Sequence, residues 1–472
     1  RRRRGALRGW LAMKHAWIVA VGFFILAMES GVRQVLNVFA KPMMDHFACS
    51  HYTATLLIVV LPNASSLMSG PLVAMFYQTF GARVGICAGS ILAGAGFVAG
   101  AITPSIYRMT VYSLLIGVGC GMMRNSIFSV QCEYFEPKRR NLVLGFICIG
   151  PGLATFIFPR LLVPFMVNHT WQSAFWILAG LYLLCAIMGL FITKQPSCRK
   201  TSCSAIFGVG VWKNTGFVFM QLAAFCSSST AIVYISHTLA WMRKKGISEP
   251  EILYSFNGVA SIVGRIALTF ALKMFDCHIG WLMLLSYAIG QLATPAAVFC
   301  DSKLCFGIQN AACGFGFGFY QTCLGPFLVA LVGADSFSNA LGYTNLINGV
   351  AAMSSVDLTS IFVSLFPSIA EAEFIYLAII AILSVVFSAL SFVCMRRREK
   401  REVEKVHDLV AFGEEAAVTN SLAPPQIEMV ECSTPKSRKH SYLLEEAVAS
   451  GNGALDTEQL KRLQTVYDEN LA

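Results

Sequence analysis

Arg265 closes a run of small and apolar residues, Gly258-Val259-Ala260-Ser261-Ile262-Val263-Gly264-Arg265, and apolar residues continue beyond it. A guanidinium placed midway along such a run is too deep to snorkel, so it requires an anionic partner. Its planar fork can grip a carboxylate through two parallel hydrogen bonds. The partner is either a bound carboxylate or a fixed acid, Glu29 or Asp357. Glu29 and Arg33 are four residues apart, on one helical face. Glu29 could carry a proton, or the pair could neutralise itself and hold its helix. Asp357 is the other acid within an apolar run, readable as a proton carrier or as a polar residue facing a bundle interior. Arg124 lies toward the end of its run, which favours an inner-gate or cytoplasmic contact over substrate binding. His237, with Tyr234 one turn earlier on the same face, offers a ligand or proton site, or a hydrogen bond between helices. Ionisable groups inside a membrane are costly, and each is a functional hypothesis by default. Arg160 and Lys41 stand near the ends of their runs, where long side chains snorkel.

The elements that position these groups follow from composition. Of 472 residues, 36 are basic and 26 acidic, so 13% are charged while 56% are hydrophobic. Ordinary soluble domains carry about 25% charge. A soluble multidomain protein, a disordered or fibrous chain and a nucleic-acid-coating protein are excluded, despite a formal charge of +10. The charge is concentrated in residues 396–472. A crossing helix needs roughly 20 apolar residues. That template predicts an all-α membrane protein with twelve spans, near 16–40, 54–78, 84–103, 108–131, 141–166, 172–193, 214–241, 252–275, 279–299, 304–333, 337–366 and 372–395. The expected organisation is a basic N-terminus (1–15), a six-helix bundle (16–193), a linker (194–213), a second six-helix bundle (214–395) and a mostly disordered tail (396–472). The tail is compatible with a short helix over 455–469. The chain begins at Arg1 rather than methionine, which leaves room for a preceding segment.

Lys and Arg in the short loops fall mainly on the side of the N-terminus, which predicts both termini in the cytoplasm. The cluster Arg243-Lys244-Lys245 opposes that bias and is outweighed by the sum. Most of the 16 cysteines lie in apolar runs, where they behave as small hydrophobes. No cysteine or histidine array has metal-ligand spacing, and no metal or cofactor is expected. The triplet Asn63-Ala64-Ser65 sits inside a span and is inert for glycosylation.

Three short passages carry a family resemblance. After the fourth span the chain reads Glu133-Tyr134-Phe135-Glu136-Pro137-Lys138-Arg139-Arg140, followed by Gly145, Gly150 and Gly152. The basic cluster would anchor one membrane face, and the glycines would let helix 5 approach a neighbour closely. Phe80-Gly81-Ala82-Arg83 links the second and third spans. Ser336-Phe337-Ser338-Asn339-Ala340-Leu341-Gly342 and Asn345-Leu346-Ile347-Asn348-Gly349 open the eleventh. Together, over roughly residues 14–395, these resemble the monocarboxylate transporter family of the major facilitator superfamily, as a divergent member. The resemblance implies two six-helix halves that rock about a site at the midplane. It makes Arg83 part of a gating loop and Arg265 the helix-8 arginine that holds a substrate carboxylate. It also implies a single-span, immunoglobulin-like accessory partner. Departures are local. Ser261 stands where proton-coupled relatives carry an aspartate, and Gln34, beside Arg33, stands where they carry a lysine.

The leading expectation is secondary transport of small monocarboxylates such as lactate or pyruvate across the plasma membrane. Arg265, Arg33, His237 and Tyr234 are the substrate-binding candidates, and Glu29 and Asp357 the candidates for proton coupling. The alternatives are facilitated diffusion of larger amphipathic carboxylates such as aromatic amino acids, and a non-transporting sensor on the same fold. No GxxxxGK[ST] loop supports an ATP-driven pump, and no hydrolase motif supports an enzyme.

Overall fold

The computed structural model describes residues 2–50, 53–54, 56–103, 105–135, 137–192, 208–274, 278–366 and 372–418. Among them there is no β-strand. The helices are α1 (Arg2–Phe47), α2 (Leu61–Met68), α3 (Gly70–Ala101), α4 (Ile106–Tyr134), α5 (Pro137–Ile147), α6 (Ile149–Asn168), α7 (Trp171–Leu190), α8 (Thr215–Lys244), α9 (Pro250–Met274), α10 (Ile279–Ala293), α11 (Lys303–Val332), α12 (Phe337–Leu365) and α13 (Ala372–Val418). A π-turn (Leu56–Val60) precedes α2, and 3-10 turns occupy Val209–Lys213 and Pro295–Phe299. The compact units are Arg1–Ser391 and Phe392–Ala472.

Nine described helices are long and apolar enough to cross a membrane. A tenth is the pair Phe337–Ser355 and Asp357–Leu365, bent by 44°. The other two expected spans are the interrupted ones. Span 2 is broken by Pro62 and Pro71, which sit at the starts of α2 and α3. Proline donates no backbone hydrogen bond, so the helix restarts there instead of continuing. The remainder of span 2 runs without a long loop into span 3 through Gly81, at φ 82° and ψ 176° inside α3. Only glycine takes that conformation freely, and it turns Phe80-Gly81-Ala82-Arg83 into the expected short link. Span 5 is divided at Cys148 into α5 and α6. Pro151, one turn on, has no N–H to return to the preceding turn.

Within the first half, α3 packs on α4 and α7, α1 on α6, and α2 on α4. Within the second, α9 and α10 pack on α11, and α8 on α12. The halves meet where α12 crosses α2 and α3, and where α5 and α6 meet α9. At the first crossing a Cβ on Gly342 would stand 2.6 Å from the Gly70 carbonyl oxygen and 3.0 Å from Ala74 Cβ. Backbone therefore touches backbone. Close by, Asn125 Nδ2 donates to Ser338 Oγ at 3.1 Å. These contacts lie toward the end of the bundle that carries the 80–83 link and the start of α12. Overpacking a tight contact costs about 1–3 kcal/mol, or roughly fivefold to 150-fold in an equilibrium. In a chain carrying Asn125→Cys and Ser338→Cys, cross-linking is expected to be efficient. Adding Gly342→Val should reduce it about tenfold, and an unchanged yield would show that the crossing does not control closure.

Two local features add to the sequence reading. Cys300 and Cys305 form a disulfide across the link between the 3-10 turn and α11, because this pair lies at a helix junction rather than inside an apolar run. The expected tail starts within a helix. α13 continues to Val418, where opposite charges four apart, such as Lys400 with Glu404, suit a solvated helix. The expected helix over 455–469 and most of the linker lie outside the described residues.

Candidate functional site

Arg265 is on α9 and only 9% exposed. Its Nη1 donates to the Cys148 carbonyl at 2.7 Å. Cys148 is the N-cap of α6, and its carbonyl oxygen has a second lone pair to offer the guanidinium. One turn further along α6, Gly152 makes room for the side chain, since a Cβ would stand 3.2 Å from Arg265 Cδ. Arg265 Nε has no partner, and among the described residues no carboxylate pairs with the guanidinium. A carbonyl neutralises no charge, so a buried cation stands without its counter-ion, a state that costs several kcal/mol. Neither Glu29 nor Asp357 is its partner.

Glu29 instead sits at the centre of a second cluster. Its side chain is 2% exposed, and its Oε1 is 2.7 Å from Arg33 Nε. Arg33 Nη2 reaches Oε2 at 3.3 Å, so the fork engages both oxygens. Arg33 also donates to Asn63 Oδ1 at 3.4 Å. The second cation is Arg124, whose Nη1 is 3.9 Å from Glu29 Oε1 and whose Nη2 donates to Ser66 Oγ at 3.1 Å. Arg124 was expected at a gate. Its neighbour Asn125 makes the contact with Ser338 across the halves, while Arg124 turns about 100° away around the helix toward Glu29. Asn63 and Ser66 escape sequence reading because an isolated polar residue in an apolar run shows no sign of what it faces.

The α6 turn touches the helices that carry the two centres, α1 and α9. Gly150 lies against α1, where a Cβ would be 2.7 Å from the Phe23 carbonyl oxygen and 3.3 Å from Ala27 Cβ. Gly152 lies against Ile262 and Arg265 of α9, and Gly145 against Thr269, 3.1 Å from its Oγ1. The glycine series thus lets helix 5 contact both halves.

The other candidates lie elsewhere. Asp357 is exposed, on the same stripe as the exposed Met353 and Ile361, just past the bend of α12. It does not join the Glu29 cluster. Tyr234 is buried and donates to Gln309 and, through a short bond, to Asn310. His237 Nδ1 is 3.7 Å from Glu373 Oε2, which also accepts from Trp241 Nε1 at 2.9 Å. Both residues tie α8 to neighbouring helices at the end opposite the 80–83 link. Arg83 Nε donates to the Ile192 carbonyl at 2.9 Å, holding the link against the end of α7. Arg140 is buried, with Nε on the Phe135 carbonyl at 3.2 Å. Arg139 is exposed, and the Lys138 side chain lies outside the described residues.

The family model described as Major Facilitator Superfamily matches residues 19–356. Monocarboxylate transporter 9 of Gallus gallus is 32% identical over 155 residues, spanning 32% of this chain and 29% of that protein. The chain thus aligns with less than a third of that relative's length. Monocarboxylate transporter 4 of Rattus norvegicus is 23% identical over 439 residues, spanning 86% of this chain and 88% of that protein. Monocarboxylate transporter 12 of Xenopus laevis is 22% identical, spanning 72% and 80%. Among solved structures, the E. coli fucose:proton symporter matches with a TM-score of 0.64 at 13% identity, over 81% of this chain and 99% of that one. At that identity the likeness is one of fold.

Proposed function

The chain belongs to the major facilitator superfamily, and from that premise we propose that it is a secondary transporter of small organic carboxylates working by alternating access. The observation that carries this reading is Arg265, a buried guanidinium bound, among the described residues, to a backbone carbonyl and to no carboxylate. A substrate carboxylate would supply the missing counter-ion and take the fork bidentately. The Gly70–Gly342 approach and the Asn125–Ser338 bond are thin, reversible contacts of the kind that rocking halves must make and break. Single carboxylates such as lactate are the class that the sequence resemblance implies. Ser261 in place of an acid favours a second reading, facilitated diffusion of bulkier carboxylates. Glu29 is the remaining group at this depth that could couple a proton.

Both termini lie in the cytoplasm and the membrane is the plasma membrane in this reading. The Lys/Arg bias supports that orientation, and so does the Cys300–Cys305 disulfide. It would lie on the non-cytoplasmic side, where disulfides persist. In proteoliposomes, labelled propionate is expected to enter at a rate that saturates with concentration, and an inward proton gradient to accelerate it. Uptake no faster than in protein-free liposomes would reject the transport reading. Uptake indifferent to the gradient would reject proton coupling alone.

A further inference from the structure

The charges at the site do not balance for a ligand with one carboxylate. Among the described residues, Arg33, Arg124 and Arg265 face a single acid, Glu29, at this depth, because Asp357 lies exposed. The formal surplus is two positive charges, one in each half. Glu29 is committed mainly to Arg33, both of whose contacts with it are shorter than that of Arg124. Arg124 keeps an unpartnered Nε, and the side chains of Arg33 and Arg124 remain 17% and 13% exposed. The surplus therefore has an unpartnered donor at each centre, Arg124 Nε and Arg265 Nε, and the Gly150–Gly152 turn of α6 touches α1 on one side and Arg265 on the other.

We propose that the Arg33–Arg124 cluster is a second anion subsite and that the ligand is an organic dianion of the dicarboxylate class. One carboxylate sits on Arg265 and the other on Arg124 with the free edge of Arg33. This rests on Arg265 being the carboxylate site. Loading a dianion would cancel the surplus in both halves at once, which a single carboxylate leaves half done.

The test compares uptake of labelled succinate and labelled propionate by the full chain in proteoliposomes. Wild type is expected to show at least a tenfold lower half-saturating concentration for succinate. Arg124→Gln should lower succinate uptake at least tenfold more than propionate uptake, collapsing the preference. Arg124→Lys, which keeps the charge without the fork, should retain part of it and serves if the glutamine variant does not fold. Equal half-saturation for the two substrates in wild type, or equal losses in Arg124→Gln, would overturn the second subsite while leaving the Arg265 reading intact. Propionate uptake that requires added chloride would assign the cluster to a separate inorganic anion and overturn the proposal. Failure of both substrates to enter, or no effect of Arg265→Gln on either, would instead overturn the carboxylate site on which it rests.

Discussion

Replacing Arg265 by glutamine is expected to abolish carboxylate uptake without destabilising the protein. Truncating one side of a buried, hydrogen-bonded charge pair costs about 2–5 kcal/mol. At about 1.4 kcal/mol per factor of ten, that is a loss of roughly thirtyfold to several thousandfold in uptake efficiency. Lysine should do better than glutamine but worse than arginine, because it keeps the charge and loses the planar fork. The stability result separates binding from scaffolding. Arg265 makes one bond to the Cys148 carbonyl and has no carboxylate partner among the described residues. Neutralising it removes a hydrogen bond and also the cost of a buried, uncompensated charge, so the melting temperature in detergent is not expected to fall. A large fall together with lost uptake would make Arg265 a structural residue.

The second large effect is at Glu29 and has the opposite pattern. Glu29→Gln leaves Arg33 and Arg124 facing each other inside the first half without an anion. Breaking a buried pair by removing one partner costs about 3–5 kcal/mol, a large share of the roughly 5–15 kcal/mol that holds a domain folded. The melting temperature should fall clearly, and adding a carboxylate substrate should recover part of the loss by binding the folded form. Any surviving uptake should no longer respond to a proton gradient, since the acid that would carry the proton is gone. Unchanged melting would mean that Arg33 and Arg124 find other partners. A retained gradient response would place proton coupling elsewhere.

What could be read in the sequence was whatever depends on spacing alone. Glu29 and Arg33 are four apart on one helix, and the structure pairs them. Arg265 was marked by the apolar residues around it, and it is buried. The hidden part concerned direction around a helix axis and breaks in the helix. Arg124 and Asn125 are neighbours in sequence, yet one meets Glu29 and the other Ser338. Depth along the span does not say which way either points. Asp357 has the composition of an interior acid, but α12 bends beside it and leaves it exposed. The Cys148 carbonyl that holds Arg265 carries no sequence signal of its own.

The central claim is that Arg265 holds the carboxylate of a transported substrate. Its most direct test is counterflow in proteoliposomes preloaded with unlabelled carboxylate, with external labelled succinate and propionate, for wild type and Arg265→Gln. Counterflow isolates binding and rocking from any driving gradient. The expected result is transient accumulation of label in wild type and none in the variant, with both proteins cross-linking equally through Asn125→Cys and Ser338→Cys as proof of a folded bundle. Equal accumulation by the two proteins would contradict the account.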